Sequence, residues 1–157
     1  MYKEIRDYGV IGNLRSAALV GKDGSIDWAP APYMDSASVF AAILDDVKGG
    51  NWKIAPTKEY ETDQHYIPET NILVTEFKTK DGVIELTDYI PAKSGLSDDN
   101  TREIQEKAEI HRKVSCLKGS CEVLVEFMPR FDYARGETKL SNIPEGILAE
   151  HSDGELG

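Results

Sequence analysis

Apolar side chains in this chain fall into short runs or alternate with polar ones, and a two-residue period is typical of a β-strand with one buried face. Three pairs of such stretches are separated by short polar turns that contain glycine: Ala17–Val20 with Ile26–Trp28, Ile72–Thr79 with Val83–Ile90, and Ile110–Leu117 with Cys121–Met128. Glycine supplies the positive φ that a tight hairpin turn requires. The pattern therefore predicts three β-hairpins.

The second hairpin shows the alternation most clearly, because one face of each arm carries the large apolar side chains. Those positions are Leu73 and Phe77 with Thr75 in one arm, and Ile84, Leu86 and Ile90 in the other. Shorter strands are predicted at Trp52–Pro56 and Gly146–Ala149, and a polar loop or edge at 57–65. Because no long amphipathic helix is evident, we expect an all-β fold, an antiparallel β-sandwich.

A proline elbow follows the first hairpin. Pro30 and Pro32 cannot donate a backbone hydrogen bond, so we expect the hairpin ladder to stop there. Asp35 or Ser36 would then cap the one short helix of the fold, which buries three apolar side chains, Phe40, Ile43 and Leu44. Residues 92–109 are charged and nearly free of large apolar groups, so we expect a mobile loop there.

Composition narrows the function classes. The chain has 157 residues and a formal net charge of −10, which fits one domain and argues against binding to nucleic acid or anionic membranes. No apolar run approaches the roughly 20 residues that span a bilayer, and the first residues carry no secretory signal, so we expect a cytoplasmic protein. His65, His111 and His151 show no metal-ligand spacing, glycine-rich phosphate loops are missing, and we expect no cofactor.

The two cysteines flank the predicted third turn. If Lys118-Gly119 is a two-residue turn, Cys116 lies directly opposite Cys121 and both side chains point to the core face. Directly opposed positions are close enough for a bridge. We therefore expect either two buried thiols or a disulfide, and a cytoplasm would usually keep such a bridge reduced.

Two carboxylates facing one another can serve as general acid and general base, so the acidic residues need to be considered as catalysts. Asp35 and Asp132 are the candidates by position. Asp35 has the setting of a helix cap, however, and Asp132 lies between Arg130 and Arg135, where an ion pair is expected. We expect no catalytic pair in this chain.

Aromatic residues in the elbow offer a different chemistry, because sugars are commonly held by aromatic faces and polar edges. Trp28 and Tyr33 are either core and loop packing or the border of a substrate pocket that also includes Asp35. Arg130-Phe131-Asp132-Tyr133 is a second segment of this kind, directly after a predicted strand and a proline. For it the alternatives are an interdomain contact, a structural ion-pair turn or a sugar contact.

Several motifs occur in an order that indicates a family. They are Tyr8-Gly9-Val10-Ile11-Gly12, Ala17-Ala18-Leu19-Val20, Asp23-Gly24-Ser25-Ile26-Asp27-Trp28, Phe40-Ala41-Ala42, Tyr66-Ile67-Pro68, Thr87-Asp88-Tyr89-Ile90-Pro91 and Pro129-Arg130-Phe131-Asp132-Tyr133. Together they resemble the opening of the bacterial and archaeal glucoamylase/trehalase-like proteins of glycoside hydrolase family 15. The elbow departs from the family, because Tyr33, Met34 and Ala37 stand where Arg, Phe and Pro are usual.

The resemblance implies a supersandwich-like N-terminal β-sandwich, followed in the family by an (α/α)6 barrel that carries paired catalytic glutamates. We therefore expect residues 1–157 to be a single N-terminal domain, cut short at its C-terminal end and without the barrel. On this hypothesis the chain alone is inactive. Its partners would be the barrel and, in the whole protein, an α-glucan or α-glucoside that is hydrolysed with inversion.

Two other functions remain open at this level. The first alternative is a free-standing carbohydrate-binding or protein-interaction module. The second is an orphaned fragment without activity. Glucoamylase and trehalase are not distinguished, because the residues that shape the sugar subsites lie mainly in the barrel. We also expect the isolated domain to form homo-oligomers through an apolar surface near Tyr33 and Met34, Arg130–Tyr133 or Ile147-Leu148.

Overall fold

The computed structural model of the chain describes residues 2–92 and 108–151. Within these ranges the strands are β1 Tyr8–Gly12, β2 Ala17–Gly21, β3 Ser25–Pro30, β4 Ser38–Phe40, β5 Trp52–Pro56, β6 Glu61–Tyr66, β7 Leu73–Lys78, β8 Gly82–Tyr89, β9 His111–Gly119, β10 Val123–Phe127, β11 Thr138–Ile143 and β12 Gly146–His151. A 3-10 turn, Ile5–Asp7, precedes β1, and a single helical turn, α1, spans Phe131–Ala134.

The strands form two main sheets and a separate hairpin. The first sheet has the order β1-β2-β3-β5-β10, with β4 also paired to β3, and the second has the order β6-β7-β8-β9. The terminal hairpin consists of β11 and β12. Neighbouring strands are antiparallel in every pairing. The all-β sandwich class predicted from the sequence is confirmed.

The core lies between the two main sheets, because the buried apolar clusters take residues from both. One cluster joins Ile11, Val20 and Ile26 of the first sheet to Leu73 of the second. The other joins Ile54 and Ala55 of β5 to residues of β7 and β8, namely Phe77, Ile84 and Leu86. Burial of each large side chain contributes about 1.5–3 kcal/mol.

Two of the three predicted hairpins are confirmed. β2 pairs with β3, and β7 pairs with β8 over six residue pairs. The face predicted from the alternation is the buried one, since Leu73, Thr75, Phe77, Ile84, Leu86 and Ile90 are all buried. The strands predicted at Trp52–Pro56 and near Gly146 also form, as β5 and β12.

The predicted helix after the elbow is wrong. Ser38–Phe40 forms β4, which pairs with Ala29 and Pro30 of β3, and the following residues form turns that end at Gly49. Phe40 is buried as expected, but it is buried as a strand residue, and Leu44 is exposed. Pro30 also does not end the ladder, because it stands opposite Ser38. Backbone pairing of Ser38–Phe40 with Ala29 and Pro30 thus prevails over the preference of Asp35 or Ser36 to begin a helix.

The third predicted hairpin is wrong as well. β9 pairs with β8 in the second sheet, whereas β10 pairs with β5 in the first sheet, so the chain crosses between the layers at 120–122. Cys116 consequently lies opposite Ile84 and not opposite Cys121. The two thiols are free; Cys116 is exposed and Cys121 is half-buried. The predicted pairing of Cys116 with Cys121 is wrong because β9 and β10 each pair with a strand from earlier in the chain, β8 and β5, and not with each other.

The last predicted strand forms as β12 and pairs with β11. The predicted mobile loop at 92–109 falls mainly on residues 93–107, which lie outside the described residues. In the part of the chain that the structure describes, no helix is long and apolar enough to cross a membrane.

Candidate functional surface

The elbow is the loop that joins β3 to β4. Its tip is closed by two hydrogen bonds, from the Tyr33 amide to Ser36 Oγ at 3.1 Å and from the Ser36 amide to the Tyr33 carbonyl at 3.1 Å. The Met34 amide also donates to the Arg15 carbonyl at 2.8 Å, which fixes the loop to the neighbouring turn. Tyr33 and Met34 nevertheless remain 46% and 53% exposed, so a rigid loop presents two large side chains to the outside.

The second segment predicted from the sequence contains an unusual backbone. Asp132, Tyr133 and Ala134 have φ angles of 48°, 56° and 62°, so three successive non-glycine residues of α1 are left-handed. The left-handed conformation costs an L-residue about 1–2 kcal/mol. Tyr133 is 40% exposed, and the Arg135 guanidinium lies 5.5 Å from its ring centroid. Strain of this kind persists only where the surroundings impose it, and it is commoner at functional sites.

Strand β4 brings the elbow and α1 together. It follows the elbow directly, and the carbonyl of its central residue, Val39, accepts a hydrogen bond from the Arg130 amide at 2.8 Å. Gly50 supports this arrangement from the other side. It has φ +71°, and a Cβ at this position would lie 2.2 Å from the Met128 carbonyl oxygen and 2.7 Å from Arg130 Cγ. The backbone can approach this closely only because residue 50 is glycine.

The terminal hairpin is attached to the same region through Phe131. The amide of this buried residue donates to Thr138 Oγ1 at 3.4 Å, and its ring lies 6.0 Å from the His151 ring. Most of the hairpin is exposed, including its apolar residues Leu140, Ile143, Ile147 and Leu148. The elbow, α1 and the terminal hairpin therefore form one linked region, which we call the elbow–turn surface.

The residues predicted from the sequence fall into different settings on or near this surface. Trp28 is half-buried opposite Leu19, and Asp35 is exposed. Asp132 lies 3.6 Å from Arg135, as an ion pair requires, while Arg130 Nη1 donates to the Pro129 carbonyl at 3.1 Å. Neither Asp35 nor Asp132 is enclosed in a pocket, so neither has the environment of a glycosidase acid or base.

The sequence reasoning did not anticipate a cluster of charged residues beneath the N-terminal segment. Lys3 Nζ donates to Asp27 Oδ2 at 2.5 Å and lies 3.0 Å from Asp23 Oδ2, and the Tyr8 hydroxyl donates to the same Asp27 oxygen at 2.7 Å. Asp27 faces this cluster because the register of β2 and β3 shifts at this point. Its other oxygen, Oδ1, is buried and makes no hydrogen bond in the structure.

Burial and charge act in opposite directions on this cluster. Burial by itself would raise the pKa of Asp23, but Lys3, through its charge and hydrogen bond, lowers it on balance. Burial would likewise lower the pKa of Lys3, whereas the hydrogen bond to Asp27 and the charge of Asp23 raise it. Burial and the bond to Asp27 raise the pKa of Tyr8. The cluster is thus a structural ion network at neutral pH.

A second buried charge joins the two sheets. Arg112 of β9 donates to both oxygens of Asp88 at 2.8 and 3.2 Å, and also to the carbonyls of Gly24 at 2.8 Å and Trp52 at 2.5 Å. Both side chains are almost fully buried. Burial raises the pKa of Asp88, although Arg112 opposes that shift. The position of Asp88 on the inward face of β8, between Leu86 and Ile90, is the sequence signal that could have predicted this pair.

One open cleft of about 570 Å³ lies away from the elbow, where β9 leads into β10. It is lined by Lys58, Thr79, Asp81, Ser120, Cys121 and Glu122. Lys58 lies 2.6 Å from Asp81, so the carboxylate is already paired. An aromatic face for a sugar ring is missing from this lining, and the cleft does not resemble a saccharide site.

Comparison with known proteins places these features in a family. The family model described as trehalase-like, N-terminal, matches residues 2–154. A trehalase from Thermoplasma volcanium is 36% identical over 151 residues, which are 94% of this chain and 23% of that protein. Trehalase 1 of Sulfolobus acidocaldarius is 39% identical over 144 residues, 91% of this chain and 22% of that protein.

A more distant trehalase from Mycolicibacterium smegmatis is 27% identical over 149 residues, 85% of this chain and 21% of that protein. No solved structure matches the chain. The chain spans less than a quarter of the length of these relatives. The match over nearly all of the chain agrees with the resemblance found in the motifs, and the chain belongs to the family of trehalase-like N-terminal domains.

Proposed function

We propose that this chain is the non-catalytic N-terminal accessory domain of a trehalase-type hydrolase of glycoside hydrolase family 15. It packs through the elbow–turn surface against the catalytic part of that protein, an (α/α)6 barrel that hydrolyses an α-glucosidic bond. The family match and the length of the relatives support the accessory role. The relatives named above are trehalases, which favours trehalose over an α-glucan as the substrate.

The main support for the docking proposal is the left-handed backbone conformation of α1. Three left-handed non-glycine residues together cost about 3–6 kcal/mol, at about 1–2 kcal/mol for each residue. Tyr133 lies within this strained turn and is 40% exposed, and the turn follows Arg130, whose amide is bonded to β4 next to the elbow. A protein that retains a strained turn at its surface usually gains from the geometry that the turn imposes.

The composition of the surface fits an interface between domains. The elbow contributes the exposed Tyr33 and Met34, and the α1 segment contributes the exposed Tyr133 with Arg130 and Arg135. Aromatic residues, Met and Arg are the types enriched at protein interfaces. Tyrosine and arginine also hold the polar edges and apolar faces of sugars. We therefore propose that the elbow borders the substrate pocket of the barrel.

The acid and base of the reaction come from the catalytic part. Among the residues that the structure describes, the buried carboxylates are Asp27 and Asp88, which are bonded to Lys3 and Arg112. We expect the purified 157-residue chain to release no glucose from trehalose or maltotriose above a protein-free control. Release of glucose by this chain would contradict the accessory role.

A chimera tests the docking proposal. In Thermoplasma volcanium trehalase, the segment that matches this chain is replaced by the chain itself, and kcat and KM for trehalose are measured. Tyr33→Ala combined with Tyr133→Ala should lower the melting temperature and raise KM at least severalfold, because both side chains leave the interface. Tyr2→Ala, another exposed tyrosine, serves as the matched control and should leave both values close to those of the parent chimera.

The alternative function, a free-standing carbohydrate-binding module, is favoured by the same exposed tyrosines. It differs in one measurable respect, because the isolated chain would then bind oligosaccharide. Calorimetric titration with trehalose and maltoheptaose distinguishes the two functions. Millimolar or tighter binding by the isolated chain, lost in Tyr33→Ala, supports the module; the accessory domain gives no binding without the barrel.

A further inference from the structure

The second surface of interest is the side of the sandwich where β9 and β10 lie. β9 is the last strand of the second sheet and β10 is the last strand of the first, and among the described strands neither has a partner on its outer edge. The chain passes directly from one to the other through 120–122. The two free edges therefore lie on the same side of the molecule.

The register shows which side chains on these strands face the interior. Val114 of β9 lies opposite Leu86, and Val125 of β10 lies opposite Ile54. Directly opposed residues of antiparallel strands share a face of the sheet. Leu86 and Ile54 are buried, yet Val114 is 42% and Val125 is 60% exposed. Both valines thus lie on the inward faces of their sheets, but no other described residue covers them from solvent.

The outer face of β10 presents an exposed apolar side chain, Leu124, beside the half-buried Glu126. Proteins usually protect an edge strand with charged side chains, especially lysine, with proline or with a covering loop. β10 has the sequence Val-Leu-Val-Glu-Phe, so Glu126 is its one charge, and the described structure adds neither lysine, proline nor a covering loop to this strand. A free edge with inward valines has the properties of a site for strand addition, in which backbone hydrogen bonds give affinity and apolar side chains fill the gap.

The occupant is best sought outside this chain. Residues 93–107 and 152–157 contain few large apolar side chains: Leu96, Ile104 and Leu156. A second copy of the chain would bring together two molecules of net charge −10, which repel each other. The trehalase relatives, in contrast, have more than three quarters of their length outside the matched region.

We propose that an extended apolar segment from the rest of the trehalase-type protein adds to the free edge of β10 and covers Val114 and Val125. This inference rests on the proposed function, since it requires that this chain be part of such a protein. The contact at β10 is separate from the contact proposed for the elbow–turn surface. The two surfaces are continuous along the chain, because β10 leads through Met128 and Pro129 into α1.

Hydrogen–deuterium exchange tests the proposal in the isolated 157-residue chain and in the chimera with Thermoplasma volcanium trehalase. Because β10 already pairs with β5 on one side, only every second amide of residues 123–127 points outward in the isolated chain. Strand addition would pair these outward amides, so their exchange should be at least about tenfold slower in the chimera. Mixing the isolated chain with the separately purified remainder of the trehalase provides a second measurement of the same protection.

Lysine substitutions make the test specific. Val125→Lys should reduce the protection of residues 123–127 and lower the melting temperature of the chimera by several degrees, since a charge would enter the covered gap. In the isolated chain the same change should shift the melting temperature by less than about 2 °C, because residue 125 is already exposed. Val10→Lys, at a residue that is 49% exposed on β1, is the matched control and should shift neither protein.

The outcomes separate this inference from the proposed function. An active chimera in which residues 123–127 exchange as fast as in the isolated chain would overturn strand addition and leave the accessory role intact. An inactive chimera in which these residues are nevertheless protected would support strand addition and count against the accessory role. Protection in the isolated chain that grows with protein concentration would identify a second copy as the occupant and overturn the proposal.

Discussion

The two lateral ends of the sandwich are closed in different ways. At one end, where β1 and β6 are the edges, polar side chains reach across the gap. The Tyr66 hydroxyl accepts a hydrogen bond from the Val10 amide at 2.7 Å and donates one to the Val10 carbonyl at 2.9 Å. Asn71 donates to the Gly12 carbonyl of the same strand. These bonds satisfy the free edge of β1.

The other end, where β9 and β10 are the edges, has no such polar closure among the described residues. Arg112 of β9 reaches the first sheet through the carbonyls of Gly24 and Trp52, and its ion pair with Asp88 lies within the second sheet. The valines at this end, Val114 and Val125, remain exposed. At the closed end, side chains of the same chain satisfy the backbone groups of the edge strand. At the open end, the exposed apolar side chains can be covered only by a partner segment. At the closed end, Gly9 leaves room for the side chain of Leu73 to pack directly against β1.

The largest effect is expected from loss of the charge that holds the open end. Arg112→Met leaves the carboxylate of Asp88 buried without its cation, which should lower the free energy of unfolding by about 3–5 kcal/mol. Urea unfolding of the 157-residue chain measures this change. The double variant Arg112→Met with Asp88→Leu should recover more than half of the loss, because it removes the unpaired charge. A single variant as stable as the parent would show that the contacts of Arg112 with Asp88, Gly24 and Trp52 do not stabilise the fold.

The pH dependence of Arg112→Met sharpens the same prediction. Burial raises the pKa of Asp88, and loss of the arginine would raise it further. A carboxyl whose pKa is raised on folding gives stability that is complete below the unfolded pKa, about 3.9, and is lost as pH rises through the folded pKa. The deficit of Arg112→Met relative to the parent should therefore shrink as pH falls towards 4. A deficit that grows on acidification would contradict this sign.

A smaller effect is expected from the charge cluster near the closed end. Lys3→Met removes a donor from the buried carboxylate of Asp27 and should cost about 2 kcal/mol at pH 7. The pKa of Asp23 is lowered by Lys3, so this contribution is present above the unfolded pKa of about 3.9 and is lost as pH falls through the folded pKa. The difference between parent and variant should thus narrow in acid.

Lys22→Met provides the control for the Lys3 variant. Lys22 lies 3.2 Å from Asp7 in an exposed pair, and its loss should change the free energy of unfolding by less than about 0.5 kcal/mol. Urea unfolding of both variants at pH 7 and pH 3.5 makes the comparison. Equal losses in the two variants would mean that the cluster around Asp27 contributes no more than a surface ion pair.

The Tyr66 hydroxyl, which bonds to the edge of β1, should contribute less to the free energy of unfolding than Lys3 does. Tyr66→Phe removes two hydrogen bonds to Val10 that are partly open to solvent, and we expect a loss of about 1 kcal/mol and faster exchange of the Val10 amide. Tyr89→Phe is the matched change near the open end, where the hydroxyl lies 3.4 Å from His111 Nδ1, and it should cost less than about 0.5 kcal/mol. Equal losses in both variants would remove the distinction between the two ends.

The smallest effect concerns the cysteines. Cys116 is exposed on β9, so Cys116→Ser should change the free energy of unfolding by less than about 0.5 kcal/mol. Under native conditions both thiols should react with a thiol reagent, Cys116 faster than the half-buried Cys121. Failure of both to react in the absence of reductant would indicate a bridge and a different arrangement of β9 and β10.

Much of the candidate surface could be found from the sequence, because its parts are local. The prolines marked the elbow, and Arg130–Tyr133 stood out as a polar aromatic segment after a strand. That β4 joins the two segments was not predictable, since the sequence suggested a helix in its place. Nor was the left-handed backbone of Asp132 and Tyr133, because neither residue favours that conformation by itself.

The sequence by itself determined where the strongly alternating strands form and which of their faces is buried, as β7 and β8 show. These are local properties, since alternation and turn residues act within a few positions. Only the tertiary structure decided which edge each strand joins. β9 and β10 have the pattern of a hairpin but belong to different sheets, because β8 and β5 offered free edges and their pairing outweighed that of near neighbours. The exposed valines and the buried Arg112 both result from that non-local choice.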